Sequence, residues 1–214
     1  GEQPKKSQII KLNTNENPYP PSPKVVAAVQ KVLENSADAL RLYPDPDATE
    51  LKQAIAKQQS VAVENVFVGN GSDEVLADIF KAFFIQDKPI LYPDITYSFY
   101  PVYSQFFGIS AQSKIIPLND DFEIVADDYK QPNGGIIITN PNAPSSIALG
   151  LSAIEEVLQA NPDSVVLIDE AYVDFGAESA VKFVEKYDNL VVCQTTSKSR
   201  SLAGLRVGFA IAQP

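Results

Sequence analysis

The chain has 214 residues, of which 45% are hydrophobic, and its formal net charge at pH 7 is −10. This composition supports one large domain, or one domain with a small appendage, and disfavours nucleic acid and anionic membranes as partners. Histidine is absent and Cys193 is the single cysteine, which excludes an internal disulfide. No apolar run approaches the ~20 residues of a membrane span. We therefore expect a cytoplasmic protein whose chemistry depends on lysine, carboxylates, tyrosine or a cofactor, without a metal.

The elements follow one another in a regular order. Residues 1–22 are polar and rich in proline, which predicts an ordered arm or a linker. Helical spacing of apolar residues follows at 23–35, and again from residue 48 or 49 to about 59. Short apolar segments then alternate with helical patterns. The predicted strands are 65–69, 89–92, 113–118, 134–140, 164–169, 189–194 and 205–212, and the further predicted helices begin at 72 or lie near 97–107, 151–160 and 178–187.

This alternation predicts an α/β fold. Short strands that are continuously rich in valine, isoleucine and leucine are typical of a sheet buried on both faces. We expect a three-layer α-β-α architecture with a mostly parallel seven-stranded sheet, preceded by the N-terminal arm. Cys193 lies inside one of these strands, so packing explains it better than reactivity does.

Polar segments follow five of the predicted strands. In chain order they are NGSDE, PDITY, NPNAPSS, DEAY and TTSK. Ligands of open α/β sheets bind beyond the carboxyl ends of the strands, so these segments are expected to converge on one cleft. Each segment alone has an ordinary interpretation as a loop, a turn or a helix cap. Their joint position is what favours a binding site.

Two charged residues in these segments, and Arg206 after them, have two interpretations each. Asp169 ends an apolar run, where an ionised carboxylate needs a cation, either in a structural salt bridge or on a ligand. Lys198 is either a solvated surface charge or an amine that forms a Schiff base with a carbonyl. Arg206 opens the last apolar segment, a poor place for a charge unless it binds an anion such as a phosphate.

One ligand accounts for all of these groups. It has an aldehyde for Lys198, a protonated ring nitrogen for Asp169, and a flat face that can stack on Tyr97. Its phosphate suits the amides at a helix start, provided that the acidic side chain of Asp73 turns away. Its ring oxygen and phosphate match Asn142, Tyr172, Ser197, Arg206 and the amides of 71–73. These features describe pyridoxal 5'-phosphate.

Seven stretches carry a family resemblance: LNTNENPYPPSP, LRLYPDPDATELKQAI, VFVGNGSDEVL, PDITYSFY, TNPNAPSS, LIDEAYVDF and TTSKSRSLAGLRVGF. Together they resemble the fold-type I pyridoxal-phosphate aminotransferases, and most closely the histidinol-phosphate aminotransferases. The resemblance implies transfer of an amino group between glutamate or 2-oxoglutarate and imidazole-acetol phosphate or histidinol phosphate, in histidine biosynthesis. A pyridoxal-phosphate decarboxylase of a phosphorylated amino acid shares these motifs. A cofactor-binding fragment without turnover is a third alternative.

The resemblance also assigns roles to residues. It makes Lys198 the covalent anchor and proton shuttle, Asp169 the partner of the pyridine nitrogen, and Tyr172 a partner of the ring oxygen. Tyr43 resembles a tyrosine that reaches the cofactor phosphate of the neighbouring subunit, which implies a homodimer. The remaining implied contacts are Gly71, Ser72, Asp73, Tyr97, Asn142, Thr195, Ser197 and Arg206 with the cofactor, and Asn15 and Tyr19 with the substrate.

The same resemblance divides the chain into parts. Residues 1–40 correspond to the arm and a segment of a small domain, and residues 41–214 correspond to the cofactor-binding large domain. The family usually has PNNPTG where this chain has PNAPSS. Family members continue into a C-terminal small domain that carries the arginine for the substrate carboxylate. This chain ends before that domain, so we expect its substrate site to be incomplete.

Overall fold

The computed structural model of the protein describes residues 10–35 and 40–214. Residues 1–9 and 36–39 of the predicted arm and small-domain segment lie outside the described residues. The helices are α1 (Pro23–Asn35), α2 (Thr49–Gln59), α3 (Ser72–Ile79), α4 (Tyr100–Phe106) and α5 (Leu151–Ala160). The strands are β1 (Val66–Asn70), β2 (Ile90–Pro93), β3 (Ser113–Ile116), β4 (Gly135–Thr139), β5 (Val166–Asp169), β6 (Leu190–Thr195) and β7 (Val207–Ala212).

The strands form one seven-stranded sheet in the order β1-β7-β6-β5-β4-β2-β3. Strand β7 is antiparallel to both of its neighbours, and the other pairs are parallel. The prediction of a mostly parallel seven-stranded sheet is therefore confirmed. Because β7 runs in the opposite sense, its first residue lies at the same edge as the last residues of β1, β5 and β6. This edge is where the polar segments meet.

Both faces of the sheet are covered by apolar side chains. Alternate residues of β4 belong to different clusters, with Ile136 and Ile138 on one face and Ile137 on the other. Helices α2 and α5 pack on the first face, and α3 and α4 pack on the second. This arrangement confirms the three-layer prediction and explains the continuously apolar central strands, since β2, β4, β5 and β6 are buried along their whole length. Cys193 is fully buried in the second cluster, as its strand position predicts.

Several predicted boundaries differ from the structure. The α-helix predicted at 178–187 is wrong, because this segment forms a short 3-10 helix, Ala180–Phe183, followed by turns. Its start is fixed by hydrogen bonds from Ser179 and Ala180 to the buried carboxyl group of Glu170. The helix predicted near 97–107 begins only at Tyr100, and α3 passes into a π-helical turn at Phe80–Phe84. None of the helices in the described part of the chain is long and apolar enough to cross a membrane.

Candidate functional site

Asp169 lies at the centre of the sheet edge, as the last residue of β5, in register with Thr139 and Cys193. Its side chain is buried. Tyr100 donates a hydrogen bond to Asp169 Oδ2 over 2.7 Å, and the amide of Ala171 donates to Oδ1 over 3.1 Å. Burial raises the pKa of Asp169, and the two hydrogen bonds oppose that rise. Within 10–35 and 40–214, no lysine or arginine forms an ion pair with this carboxylate, so the alternative of a structural salt bridge is not observed there.

A line of hydroxyl groups connects Asp169 to the loop after β4. The Tyr100 hydroxyl lies 2.6 Å from Thr139 Oγ1, which lies 3.0 Å from Thr96 Oγ1. Thr96 in turn donates to Asn142 Oδ1 over 2.9 Å. The Asn142 amide nitrogen donates to the carbonyl of Ile95 and to Ser145 Oγ, over 2.9 and 3.1 Å. Asn142 is thus brought to the site, but its side chain is engaged with the protein, and its contact with a cofactor oxygen stays a prediction.

Lys198 lies just beyond β6, half-buried beneath the N-terminal arm. Its Nζ donates to the carbonyl of Thr14 over 3.0 Å and lies 5.6 Å from the centre of the Tyr172 ring. Asn15 donates to the Tyr172 hydroxyl over 3.1 Å, and Asn17 donates to the carbonyl of Lys198 over 3.2 Å. The arm therefore orders the lysine by hydrogen bonds with residues 184 and 181 positions away in sequence.

A cleft of about 490 Å³ opens between the arm and the loop after β4. Its walls include four predicted site residues: Asn15, Asn142, Tyr172 and Lys198. A second cavity of about 560 Å³ lies at the opposite edge of the sheet, beside Lys88, Lys130 and Asn133. It contains none of the predicted residues, so we regard the first cleft as the candidate site.

Two glycines let three segments approach closely beside this cleft. Gly71 has a φ of +89°, and a Cβ atom there would overlap the guanidinium of Arg206. A Cβ atom at Gly208 of β7 would overlap the backbone of Gly71 and Ser72. The start of α3, with its unpaired amides, therefore faces a guanidinium. Amides at a helix start and an adjacent arginine together favour the binding of an anion.

Arg206 differs from its predicted position. It does not begin β7 but precedes it, in the left-handed backbone region with a φ of 55°, after the short 3-10 helix Ala203–Leu205. Its guanidinium lies 3.4 Å from Asp73 Oδ2. The Asp73 side chain thus turns toward the arginine, so the condition that it turn away from a phosphate is not met in this structure.

Tyr97 also contacts Asp73, donating to its Oδ1 over 3.0 Å. Burial, reinforced by the Asp73 carboxylate, raises the pKa of Tyr97. Its ring is half-buried next to Phe99 and Tyr100. One carboxylate thus holds the predicted ring-stacking tyrosine and the predicted phosphate-binding arginine.

Thr195 and Ser197 lie between Asp169 and Arg206. Thr195 is the last residue of β6, opposite Gly208, and its hydroxyl donates to Ser197 Oγ over 3.0 Å. Both side chains are buried. The structure thus groups Thr195, a predicted cofactor contact, with the predicted phosphate-binding residues Gly71, Ser72, Asp73, Ser197 and Arg206.

Two predicted residues are not brought to the site. The Tyr43 side chain is 100% exposed, which fits its predicted role only if a second subunit faces it. Tyr19 is 75% exposed, and its backbone amide bonds Asn17 without its ring reaching the cleft. Their roles stay predictions.

Four residues at the site were missed in the sequence. Thr14 and Asn17 contact Lys198, and Tyr100 contacts Asp169. Glu170 accepts hydrogen bonds from Ser179, Ala180 and Gln194, and burial raises its pKa to about 7. The one available signal was the pair of adjacent carboxylates, Asp169 and Glu170, at the end of an apolar strand. Tyr100 carried no separate signal because aromatic residues at helix starts usually pack in the core.

Known proteins resemble this chain in sequence. It is 79% identical over 213 residues to a protein named histidinol-phosphate aminotransferase from Acinetobacter baumannii strain SDF. That match covers 100% of this chain and 58% of the relative. The chain thus spans less than two thirds of the length of this curated relative.

Solved structures resemble its fold. A histidinol-phosphate aminotransferase from Clostridium acetobutylicum has a TM-score of 0.82 at 22% identity, covering 94% of this chain and 59% of that one. The Sinorhizobium meliloti enzyme of the same name, in complex with pyridoxal 5'-phosphate, has a TM-score of 0.74 at 22% identity, covering 93% and 55%. An L-threonine-O-3-phosphate decarboxylase from Porphyromonas gingivalis has a TM-score of 0.73 at 25% identity, covering 91% and 57%.

The family itself follows from the sequence. A sequence model of the family described as aminotransferase class I and II matches residues 7–214, which is almost the whole chain. The mostly parallel sheet and the residues grouped at its edge are consistent with this match. The chain belongs to the class I and II aminotransferase family.

Proposed function

We propose that this chain contains the cofactor site of an aminotransferase that uses pyridoxal 5'-phosphate. Its reaction moves an amino group between glutamate or 2-oxoglutarate and imidazole-acetol phosphate or histidinol phosphate, in histidine biosynthesis. The observation that supports this best is the buried carboxylate of Asp169, which has no cationic partner among the described residues and lies in the same site as the amine of Lys198. The 79% identical relative supports the choice of substrate.

The residues present fit the chemical groups of pyridoxal 5'-phosphate. A protonated ring nitrogen supplies the cation that the Asp169 carboxylate lacks. The start of α3, the guanidinium of Arg206 and the hydroxyl of Ser197 suit a phosphate. The amine of Lys198 suits an aldehyde, and Tyr172 and Asn142 are near enough to the cleft to contact a ring oxygen.

When bound, this cofactor supplies an electron-withdrawing ring that stabilises negative charge on the substrate Cα. In this chemistry the side chains of the protein bind the cofactor and hold or move protons. Asp169 keeps a proton on the ring nitrogen, because a buried carboxylate is stabilised by a neighbouring positive charge. Lys198 would hold the cofactor through Nζ until a substrate amine displaces it, and the freed amine would then be placed to carry a proton at the substrate Cα. Tyr97 packs on the face of the ring and thereby excludes water from it.

We also propose how the chain is divided into domains and how it assembles. Residues 1–40 form the arm and part of a small domain, residues 41–214 form the large domain, and a further domain completes the substrate site. Asn15 and Tyr19 contact the substrate. The protein is a cytoplasmic homodimer in which Tyr43 reaches the phosphate in the partner's site, and the full exposure of Tyr43 is compatible with such a contact.

Reduction with borohydride tests the cofactor assignment. The chain is incubated with pyridoxal 5'-phosphate, reduced, digested and analysed by mass spectrometry. We expect one pyridoxyl adduct, on Lys198, and none in the Lys198→Ala variant. An adduct on another lysine, with Lys198 unmodified, would contradict the assignment.

A second experiment tests the reaction. This chain and a chain of the relatives' full length are assayed with glutamate and imidazole-acetol phosphate, and for release of carbon dioxide from phosphorylated amino acids. We expect transamination by the longer chain, and its loss on Lys198→Ala. Carbon dioxide release without transamination would support the decarboxylase that the Porphyromonas gingivalis structure exemplifies. Cofactor binding with neither activity would support a binding fragment without turnover.

A further inference from the structure

Tyr100 is in direct contact with the carboxylate that the proposed function depends on. Its side chain is fully buried, and its hydroxyl donates to Asp169 Oδ2 over 2.7 Å. It lies on α4, whereas Asp169 ends β5, so the contact joins the helical layer to the centre of the sheet edge. No sequence motif assigned a role to Tyr100.

The direction of the hydrogen bonds follows from counting protons. A tyrosine hydroxyl has one proton, and Tyr100 gives it to the ionised carboxylate. The contact of 2.6 Å between Tyr100 and Thr139 must then use the proton of Thr139. Thr139 therefore donates to Tyr100, and Tyr100 donates to Asp169. Since Thr96 gives its own proton to Asn142 Oδ1, the 3.0 Å contact between Thr139 and Thr96 has no proton of its own, and the line of donors begins at Thr139. Aligned donors strengthen one another and favour the charged form of the group at the end of the line.

The buried position of Asp169 makes the hydrogen bond from Tyr100 necessary to stabilise its charge. Asp169 is 3% exposed, and among the residues described no lysine or arginine pairs with it. Its remaining hydrogen bond is the longer one from the amide of Ala171, at 3.1 Å. Of these two donors Tyr100 is the closer, and it fixes the position of Oδ2.

We propose that Tyr100, backed by Thr139, is a positioning residue that keeps the Asp169 carboxylate charged and oriented toward a protonated ring nitrogen of the cofactor. This inference rests on the proposed function, because it concerns the same site. Tyr100 acts through Asp169 and does not itself contact the cofactor.

The test measures binding rather than activity. Dissociation constants are measured, by equilibrium dialysis, for pyridoxal 5'-phosphate and for an analogue in which carbon replaces the ring nitrogen. Loss of a hydrogen bond to a charged group predicts that Tyr100→Phe weakens binding of pyridoxal 5'-phosphate about tenfold. Binding of the analogue should change less than about twofold, since the analogue has no ring proton for Asp169 to hold. Thr139→Val should also weaken the binding of pyridoxal 5'-phosphate, by a smaller factor than Tyr100→Phe does.

Two further variants make the result specific. Tyr92→Phe removes another hydroxyl from a buried tyrosine whose ring lies 6.1 Å from that of Tyr100, and it should leave both constants unchanged. In an Asp169→Asn background, Tyr100→Phe should have no further effect on pyridoxal 5'-phosphate, because the two residues act in series. Circular dichroism confirms that each variant is folded, and Thr139→Val replaces Tyr100→Phe as the critical variant if the latter does not fold.

The outcomes separate the two proposals. If the chain binds neither ligand, or if Asp169→Asn leaves the preference for the ring nitrogen intact, the proposed function fails and this inference fails with it. If Asp169→Asn removes that preference while Tyr100→Phe and Thr139→Val keep it, the inference about Tyr100 alone is overturned. An equal loss for both ligands in Tyr100→Phe would also overturn it, because that result indicates only a structural role.

Discussion

Two adjacent carboxyl groups at the end of β5 have different surroundings. Asp169 lies against α4 and accepts hydrogen bonds from Tyr100 and from the amide of Ala171. Glu170 lies in a network with Ser179, Ala180 and Gln194. Neither group has a cationic partner in the described part of the chain, so burial raises the pKa of both. The second carboxyl group therefore acts on stability, and the first acts on the proposed chemistry.

Glu170 should make the stability of the chain depend on pH. Its pKa is about 7 in the folded chain against an ordinary value of 4.5, so between these values the folded state holds a proton that the unfolded state has lost. The contribution of Glu170 to the free energy of unfolding is therefore largest below pH 4.5. It falls between pH 4.5 and 7, by about 3 kcal/mol in total, and is lost above pH 7.

Urea unfolding at several pH values from 5.5 to 8.5 measures this effect. In the Glu170→Gln variant the side chain stays neutral, so the fall in the free energy of unfolding over this range should be much smaller than in the parent chain. Equal slopes in the two proteins would show that Glu170 does not titrate in this range. The contribution of Asp169, which has the same sign, is common to both proteins.

Asp73 should oppose the binding of phosphate-bearing ligands. Its carboxylate lies 3.4 Å from the guanidinium of Arg206 and next to the amides at the start of α3, where a phosphate would also bind. Asp73→Asn removes this competing charge but can still accept the hydrogen bond from Tyr97. We expect the variant to bind pyridoxal 5'-phosphate about threefold to tenfold more tightly, since the pair is half-exposed and its charges are partly screened.

Asp78→Asn is the matched control for this prediction. Asp78 is an exposed residue on the same helix, so its replacement changes the net charge equally without touching Arg206. Binding of pyridoxal, which has no phosphate, should be the same in all three proteins. Weaker binding of pyridoxal 5'-phosphate to Asp73→Asn would instead show that Asp73 organises the site.

At the scale of elements, β7 is the strand that closes the site. It is antiparallel to its neighbours, so its first residues meet the ends of β1 and β6 beside the start of α3. This contact requires Gly208, because a Cβ atom there would overlap the backbone of Gly71 and Ser72. Backbone atoms cannot move aside as a flexible side chain can. The position of α3 therefore depends on the absence of a Cβ atom at residue 208.

Gly208→Ala should therefore be strongly destabilising. We expect a loss of about 2 kcal/mol or more in the free energy of unfolding, measured by urea denaturation, together with weaker binding of pyridoxal 5'-phosphate. Gly204→Ala is the control, because a Cβ atom at Gly204 meets nothing within 4 Å. It should change stability by no more than about 1 kcal/mol. Similar losses in both variants would contradict the close approach of β7 to α3.

Elements with a clear apolar period were predictable from the sequence, and those fixed by distant contacts were not. The predicted helix at 23–35 and the strand at 189–194 match α1 and β6 to within one residue. The segment 178–187 has helical spacing as well, but Glu170, which directly follows β5, determines how it begins. Likewise Arg206 is displaced from β7 by its left-handed backbone, which composition does not reveal.

For the whole molecule, the site was predictable because one topological rule locates it. Strand ends of a parallel sheet meet at one edge, so Asp169, Lys198 and Arg206 can be grouped without coordinates. Their supporting partners could not be found in this way. Thr14 reaches Lys198 from the other end of the chain, and Tyr100 reaches Asp169 from a helix. Such contacts depend on side-chain packing between layers, which apolar periodicity does not encode.

The three-layer architecture makes a final prediction, about stability on the two faces of the sheet. Ile137 and Ile138 are adjacent in β4, both are fully buried, and they belong to opposite clusters. Ile115 lies on the edge strand β3 and is 47% exposed. The same change, Ile→Ala, thus removes the same atoms from three different environments, and its cost reports how well each face is covered.

Ile137→Ala and Ile138→Ala should each lower the free energy of unfolding by about 2–5 kcal/mol, because each leaves a cavity in a close-packed layer. Ile115→Ala should cost about 1 kcal/mol or less, since its side chain is already partly in water. Urea denaturation of the three variants measures these costs under identical conditions. A large loss for only one of Ile137 and Ile138 would mean that one face of the sheet is open to solvent. If Ile137→Ala were the mild variant, the open face would be the one that α3 and α4 cover, and these helices, which bring Asp73 and Tyr100 to the site, would not be firmly packed against the sheet.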